Sequence, residues 1–479
     1  MAKSLKRYIP LVVFITSFLY YLILCAKEYT WLFASGDSGD WLAASAWWMV
    51  PQPPGSPLFI CMGHLVNLLP GRLDTNLTVL LSVIPAAIAV MLVYLIVVNR
   101  TGKILPGIAA STILLGSAVL LSQATVLEQY SSATMFMVLG IYFYSRGNRK
   151  MTALSLGLGT ATHAFIGGIA ILWLVLHARE WRLWIKPGII YIISGILPYT
   201  FILWLLSTDA PRLLAGGLSF DSLQMYIGNA GVIGSLAATE APQRLLLMGQ
   251  FLLVSFGLSL VAVFVLIRQE RSTIFTRILI MITVLSLWYV ATCMDSTSWV
   301  FLIWGAPAIA LMAGLGLAKM NKVHQGTILV GAVVLVLANG FLLNADKLND
   351  AEPMAREYYQ SIQALPDDRI AIVSDRVGWE ALGIFYAMSQ GKDIIPIIYG
   401  EIPTSDSYLF YAEWLRDEYG IEGGSAREQV AFLLNKGVAV YTQTTRLDTP
   451  RAASWETRFE LEDIDNRLFD RIIGVGSAE

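Results

Sequence analysis

Long apolar stretches, each close to the thickness of a membrane, fill most of the chain between Tyr8 and Leu343. A helix needs about 20 largely apolar residues to cross a lipid bilayer. Hydrophobic residues make up 56% of the 479-residue sequence and charged residues only 14%, whereas soluble domains carry about 25% charged residues. The sequence therefore predicts a polytopic α-helical membrane protein.

The stretches predict about 9 to 11 transmembrane helices, each near the length that a bilayer requires. The predicted spans are 8–26, 77–98, 104–122, 130–145, 185–206, 245–267, 274–293, 300–318 and 327–343. Lys3, Lys6 and Arg7 precede the first span, and basic residues near a span favour the cytoplasm. We expect a multi-pass protein of a prokaryotic plasma membrane, with its N-terminus in the cytoplasm and its C-terminal domain outside.

One segment does not fit a chain in which every span crosses the membrane completely. Lys150 and Arg179 both favour the cytoplasm, yet residues 151–176 between them are too few for two spans of about 20 residues each. The glycines at 157, 159, 167 and 168 surround His163 in the middle of the segment. We therefore predict two half-helices that meet near His163, buried in protein close to the outer face.

The sequence changes character after Leu343, where charged residues become dense. Short β-branched runs alternate with helical patterns, which is typical of a small α/β domain. We predict a transmembrane domain at 1–345, with a first extracytoplasmic loop at 27–76, and a soluble extracytoplasmic α/β domain at 346–479. The predicted strands are 369–374, 393–399 and 437–442, and the predicted helices are 378–389, 407–418 and 426–435.

The first outer loop holds the candidate active site. Asp37 and Asp40 lie three residues apart directly after the first span, and a Pro-Pro-Gly segment follows at 53–55. Carboxylates at a membrane are costly and often functional. We expect Asp40 to cap a short interfacial helix, and a second such helix at 58–69. Alternatively, both carboxylates only solvate and cap the loop.

These residues resemble the GT-C superfamily of membrane glycosyltransferases, and most closely its protein O-mannosyltransferase-like family. The resemblance rests on the acidic Asp37-Ser38-Gly39-Asp40, on the Pro-Pro-Gly-Ser-Pro-Leu that follows about a dozen residues later, and on weaker similarities at 126–131 and 157–163. The resemblance covers separate short segments between Ser35 and about Tyr399. The resemblance implies that the transmembrane domain at 1–345 is GT-C-like.

The resemblance implies an inverting transfer of a sugar from a polyprenyl-phosphate donor to a protein or glycan acceptor outside the cytoplasm. Asp37 matches the family's general base, and Asp40 would orient the acceptor or Asp37. The residues expected to bind substrate or the lipid phosphate are Gln52, Arg72, Glu128, Tyr130, His163 and Arg244, with Arg212 a further outer-side cation. His163 is equally explained as a buried histidine that packs two half-helices, and Arg72 as a headgroup anchor.

One position departs from the family. Relatives usually carry His-Pro-Pro-Gly, whereas this chain has Gln52 before Pro53, which replaces an ionisable ring by a neutral amide. The departure favours a second hypothesis, a non-catalytic GT-C-fold subunit or scaffold whose outer domain binds a protein partner. A transporter or flippase of lipid-linked sugars is less favoured. Such a protein should have inverted repeats and charged residues in the middle of its spans, and neither is evident in the sequence.

Other ligand classes are not indicated. The expected partners are membrane lipids, the lipid-linked sugar and its acceptor, because a net charge of -2 without a basic run gives no basis for nucleic-acid binding. The three cysteines form no Cys-x-x-Cys pair, and no residue pattern predicts a divalent metal. Apart from the lipid-linked donor, we therefore expect no cofactor.

Overall fold

A computed structural model describes most of the chain. The described residues are 2–25, 38–47, 56–209, 241–292, 298–344, 354–374, 384, 387–388, 391–398, 420, 426–443, 459–464, 466 and 468–475. They belong to two compact units. The first unit comprises the described residues of 2–25, 56–202 and 241–344, and the second unit the remainder.

The first unit is entirely helical. Its helices are α1 (Ala2–Leu24), α3 (Pro57–Asn67), α4 (Leu73–Thr78), α5 (Ile84–Thr101), α6 (Ile104–Leu115), α7 (Ala118–Ala124), α8 (Gln129–Ser145), α9 (Arg149–Thr162), α10 (Phe165–Leu176), α11 (Trp181–Asp209), α12 (Ala241–Phe256), α13 (Ser259–Glu270), α14 (Ile274–Thr292), α15 (Gly305–Leu317) and α16 (Lys322–Leu342). A π-helical turn, Val79–Val83, joins α4 to α5, and a tight helical turn, Ser298–Trp304, leads into α15.

Among the described residues, six helical stretches are long and apolar enough to cross a bilayer, and two bent pairs raise the number to eight. The predicted helical membrane fold is therefore confirmed, whereas the predicted number of spans is matched only in part. Each of the predicted spans at 104–122 and 245–267 is a bent pair of helices. The α6–α7 pair bends by 63° and the α12–α13 pair by 98°, the second at Gly257, whose φ of +47° suits a residue without a Cβ.

The α9–α10 segment forms the predicted helical hairpin. A Cβ added at Gly167 would lie 3.2 Å from Thr160 Cγ2 near its turn, while Arg149 at the start of α9 lies 3.1 Å from Glu180, just after α10. His163 ends α9 in an extended conformation. The break at His163 is therefore confirmed, and the segment returns to the end of the bundle from which it starts.

Contacts between helix ends gather basic residues at one end of the first unit. At this end, called the basic end, Arg100 lies 4.0 Å from the Phe275 ring, and Lys319 pairs with Glu270 at 2.6 Å. Lys103 donates to the Ala318 carbonyl there. Together with the Arg149–Glu180 pair, these contacts involve basic residues at the ends of α5, α6, α9 and α15.

The described part of the second unit includes a small helix, α2 (Ser38–Trp47), and a mixed sheet flanked by α17 (Met354–Gln363) and α18 (Ala426–Asn435). The strands are β1 (Arg369–Ser374), β2 (Asp393–Ile398), β3 (Ala439–Gln443), β4 (Phe459–Glu462) and β5 (Phe469–Val475), in the order β2-β1-β3-β5-β4. Strands β1, β2 and β3 are parallel, and β5 runs antiparallel to β3 and β4. Val430 and Leu433 of α18 pack on this sheet.

The small C-terminal α/β fold is thus as predicted, and α18 coincides with the predicted helix at 426–435. Strands β4 and β5 and helix α17 were not predicted. The predicted helix at 407–418, and most of that at 378–389, lie outside the described residues.

Candidate functional site

The start of α8 is buried and held by reciprocal hydrogen bonds. Glu128 precedes α8 in an extended conformation and is only 1% exposed. Its N–H donates to Ser82 Oγ over 3.2 Å, and Ser82 Oγ donates to the Glu128 carbonyl over 3.1 Å. A carboxylate-bearing residue is therefore fixed at a helix start inside a membrane bundle, where charge is costly.

The segment that follows the Pro-Pro-Gly motif reaches the same place. Ser56 Oγ donates a short hydrogen bond to Gln129 Oε1, and Ser56 stands directly before Pro57, the first residue of α3. The contact joins two regions that the sequence singled out separately, the Pro-rich segment and the Glu128–Tyr130 segment. Both residues are buried.

An aromatic cluster surrounds Tyr130 and His163, and we call this end of the bundle the aromatic end. The two rings lie 5.3 Å apart between centroids. Trp304 lies 5.9 Å from Tyr130 and 4.6 Å from His163. Phe165 stacks on Trp304 at 4.0 Å, and Phe301 lies 5.6 Å from Trp304.

Of two N–H donors in this cluster, one has a hydrogen-bond acceptor and the other has none among the described residues. The Phe165 N–H donates to His163 Nδ1 over 3.2 Å, so the neutral imidazole carries its proton on Nε2. The buried Trp304 Nε1–H has no acceptor among the described residues. An unsatisfied buried donor costs about 1–3 kcal/mol. The cluster therefore offers hydrogen-bond donors that suit oxygen atoms of a sugar or a phosphate.

The other predicted site residues are placed as follows. Arg72 is exposed and precedes α4. Asp40 and Arg244 lie in α2 and α12, within the described backbone, whereas Asp37, Gln52 and Arg212 lie outside the described residues. The prediction that Asp40 caps its helix is wrong, because α2 begins at Ser38 and Asp40 is its third residue.

The structure adds residues that the sequence analysis did not select. Trp304 and Ser56 occupy the centre of the site, although an isolated Trp in an apolar run is typical of a membrane-interface anchor. The buried Trp304 sits three residues before Pro307 at the start of a helix that is almost wholly buried. In the described part of the chain, no group of three or more His, Cys, Asp or Glu residues is placed to hold a metal ion.

Comparison with known proteins agrees with the sequence resemblance. Residues 37–183 match the family model described as the N-terminal domain of protein O-mannosyl-transferase TMEM260. This match begins at Asp37 and includes Gln52, Arg72, Glu128, Tyr130 and His163. No curated protein sequence matches the chain.

Two solved structures share the fold. ArnT from Cupriavidus metallidurans bound to undecaprenyl phosphate matches with a TM-score of 0.66 and 13% identity, over 98% of this chain and 99% of that one. The apo ArnT structure matches with a TM-score of 0.66 and 11% identity, over the same shares. At such low identity the likeness concerns the fold.

The fold defines the class of protein: this chain has the GT-C fold of membrane glycosyltransferases. Within residues 37–183 the chain is similar to an O-mannosyl-transferase N-terminal domain, as its sequence motifs predicted. Both the predicted fold class and the predicted resemblance are therefore confirmed.

Proposed function

We propose that the chain transfers a sugar from a polyprenyl-phosphate-linked donor to a hydroxyl of an extracytoplasmic protein or glycan, with inversion at the anomeric carbon. The observation that carries the proposal is the meeting of Tyr130, His163 and Trp304 at the aromatic end, beside the Ser56–Gln129 contact. The GT-C fold and the family match support the same chemistry.

The transfer needs one base and one stabilised leaving group. The acceptor oxygen forms a bond to the anomeric carbon while the bond from that carbon to the donor phosphate breaks. The Asp37 carboxylate takes the acceptor proton, and polyprenyl phosphate leaves with the electron pair. A positioned general base contributes about 10² to 10⁴ in rate. In this proposal Asp40 orients the acceptor or Asp37.

The donor phosphate and sugar need hydrogen bonds that strengthen as charge develops on the leaving oxygen. We assign this role to Gln52, Arg72, Tyr130, His163 and Arg244, while Glu128 binds the donor by accepting hydrogen bonds from its sugar hydroxyls. Trp304 joins them because its buried N–H has no acceptor among the described residues. The rings of the cluster also offer faces to a sugar or to an isoprenoid chain.

The test is sugar transfer by the purified, lipid-reconstituted chain from a panel of labelled polyprenyl-phosphate sugars, mannose first, to Ser/Thr-containing peptides. Asp37→Asn removes the base and should lower the rate about 10² to 10⁴-fold, with Asp40→Asn costing less. Gln52→His should preserve or raise the rate. Asp368→Asn, an exposed carboxylate of the second unit, is the matched control and should leave the rate unchanged.

A second pair of variants tests the aromatic end. His163→Gln should lower transfer, whereas His324→Gln, at the exposed start of α16, should not. Parental activity in Asp37→Asn contradicts the role of that residue. If the parent transfers no sugar from any donor while its outer domain holds a stable protein partner, the scaffold hypothesis replaces the enzyme.

A further inference from the structure

A second cluster of aromatic residues lies at the basic end, away from the proposed reaction site. We call it the His177 cluster, consisting of Tyr144, Trp173, His177, Trp184 and Phe275. His177 Nδ1 lies 2.9 Å from the Trp173 carbonyl, and His177 Nε2 lies 2.8 Å from the Tyr144 hydroxyl. A carbonyl only accepts, so in the neutral ring Nδ1 donates and Nε2 accepts from Tyr144.

Two indole N–H groups in this cluster have no hydrogen-bond acceptor among the described residues. They belong to Trp173, which is 1% exposed, and to Trp184, which is 6% exposed. The Trp173 ring lies 5.0 Å from Tyr144, and the Trp184 ring lies 4.9 Å from His177. Both indole rings therefore flank one Tyr–His pair whose own polar atoms already bind each other.

Leaving two donors unsatisfied in one place is expensive, because each costs about 1–3 kcal/mol. An acceptor supplied from outside the protein would recover this energy. The acceptor must fit the surrounding charge, which is positive. Glu180 is paired with Arg149, and exposed basic residues stand close by in sequence at the same helix ends, namely Arg146, Lys150, Arg179 and Arg182.

The location selects the kind of anion. The cluster lies where α8 and α10 end and α11 begins. Trp181, the first residue of α11, is 59% exposed, and the Arg182 guanidinium lies 5.7 Å from its ring. Arg100 lies over Phe275, whose ring stacks with Tyr144. Exposed Trp and basic residues at helix ends mark the headgroup level of a membrane.

We propose that the His177 cluster binds the phosphate headgroup of an anionic phospholipid, with the Trp173 and Trp184 N–H groups donating to phosphate oxygens. The surrounding basic residues supply attraction for the net negative charge. This site is separate from the aromatic end, so its failure leaves the proposed sugar transfer untouched.

The test titrates the full chain in detergent with phosphatidylglycerol and counts bound lipid by native mass spectrometry. Phosphatidylcholine and inorganic phosphate are the two comparison ligands. Trp173→Phe and Trp184→Phe each keep a ring and remove one donor, and a lost hydrogen bond to a charged group weakens binding about tenfold or more. Trp288→Phe, a 44% exposed tryptophan of α14, is the matched control.

We expect the parent and Trp288→Phe to bind phosphatidylglycerol more tightly than phosphatidylcholine, and each cluster variant to bind it about tenfold more weakly. Unchanged binding in Trp184→Phe overturns the site. Equal protection from thermal unfolding by inorganic phosphate, lost in the same variants, overturns the lipid assignment. If Trp173→Phe does not fold, Trp184→Phe alone decides, because Trp184 is the more exposed of the two.

Discussion

The side-chain amide of Asn339 donates a hydrogen bond to the carbonyl oxygen of Gly116, 2.6 Å away, across 223 positions of sequence. The same amide nitrogen lies 3.0 Å from the Val254 carbonyl. Gly116 ends α6 just before its bend, and Val254 lies in the last turn of α12 before the other bend. One buried amide on α16 thus satisfies backbone acceptors at both broken helices.

Asn339→Leu should therefore destabilise the chain, because two buried carbonyls lose a donor at a cost of about 2–4 kcal/mol in total. The measurement is thermal unfolding of the purified chain in detergent. Asn99→Leu, an exposed asparagine near the end of α5, is the control and should change the midpoint little. Equal midpoints for the two variants would mean that Asn339 does not stabilise the bends.

Gly157 sets the approach of α9 to α11. A Cβ at this position would lie 2.0 Å from Ser194 Oγ and 2.6 Å from the Tyr191 carbonyl oxygen. Gly157→Ala should lower the free energy of unfolding by about 1–3 kcal/mol, because a backbone atom has to move. Gly168→Ala lies in α10 of the same hairpin and meets no atom within 4 Å, so it should be neutral or slightly stabilising. Thermal midpoints of both variants provide the comparison.

The orientation in the membrane remains a prediction that labelling can test. In a background with Cys25, Cys61 and Cys293 replaced by Ser, we expect Lys150→Cys to react with an impermeant maleimide only from the cytoplasm. Glu401→Cys should react only from outside, because the basic end favours the cytoplasm. Reaction of position 401 from the cytoplasm alone would contradict this topology.

Tyr441 makes the stability of the second unit depend on pH. Burial, and the hydrogen bond that its hydroxyl donates to Asp367, raise the pKa of Tyr441 above its ordinary value of 10.0. The folded state therefore keeps a proton that the unfolded chain releases. The stability from this group is complete below about pH 10 and is lost as the pH rises further.

We accordingly expect the thermal midpoint of the second unit to fall as the pH rises above about 10, and to fall less in Tyr441→Phe. Tyr8→Phe is the control, since Tyr8 is 58% exposed, and it should follow the parent. Parallel pH profiles of the parent and Tyr441→Phe would contradict the effect.

Much of the fold was predictable because burial leaves a plain pattern. Strands β1 and β2 were predictable as apolar runs, since strands of a parallel sheet are covered on both faces. Strand β4 alternates Phe459, Glu460, Leu461 and Glu462, and this two-residue period over four residues is too short to stand out. The bend at Gly257 escaped prediction because apolar residues continue on both sides of it.

The candidate site was predictable in its parts only. Tyr130 and His163 were selected from separate motifs, and their ring contact depends on the antiparallel pairing of α8 with α9. Trp304 lies far along the chain in an apolar run, where nothing in the local pattern distinguishes a site residue from an interface anchor. Its role emerges only from the three-dimensional arrangement.

The α9–α10 hairpin has a consequence for biosynthesis. Its helices of 14 and 12 residues are about 21 and 18 Å long, so neither crosses a hydrocarbon layer of about 30 Å by itself. Residue 149 leaves the ribosome well before residue 176, and α9 must wait at the membrane until α10 exists and the two can enter together. His163 then meets Trp304 only after a further 140 or so residues of synthesis, so a stalled or truncated chain inserts its hairpin with the aromatic end still incomplete.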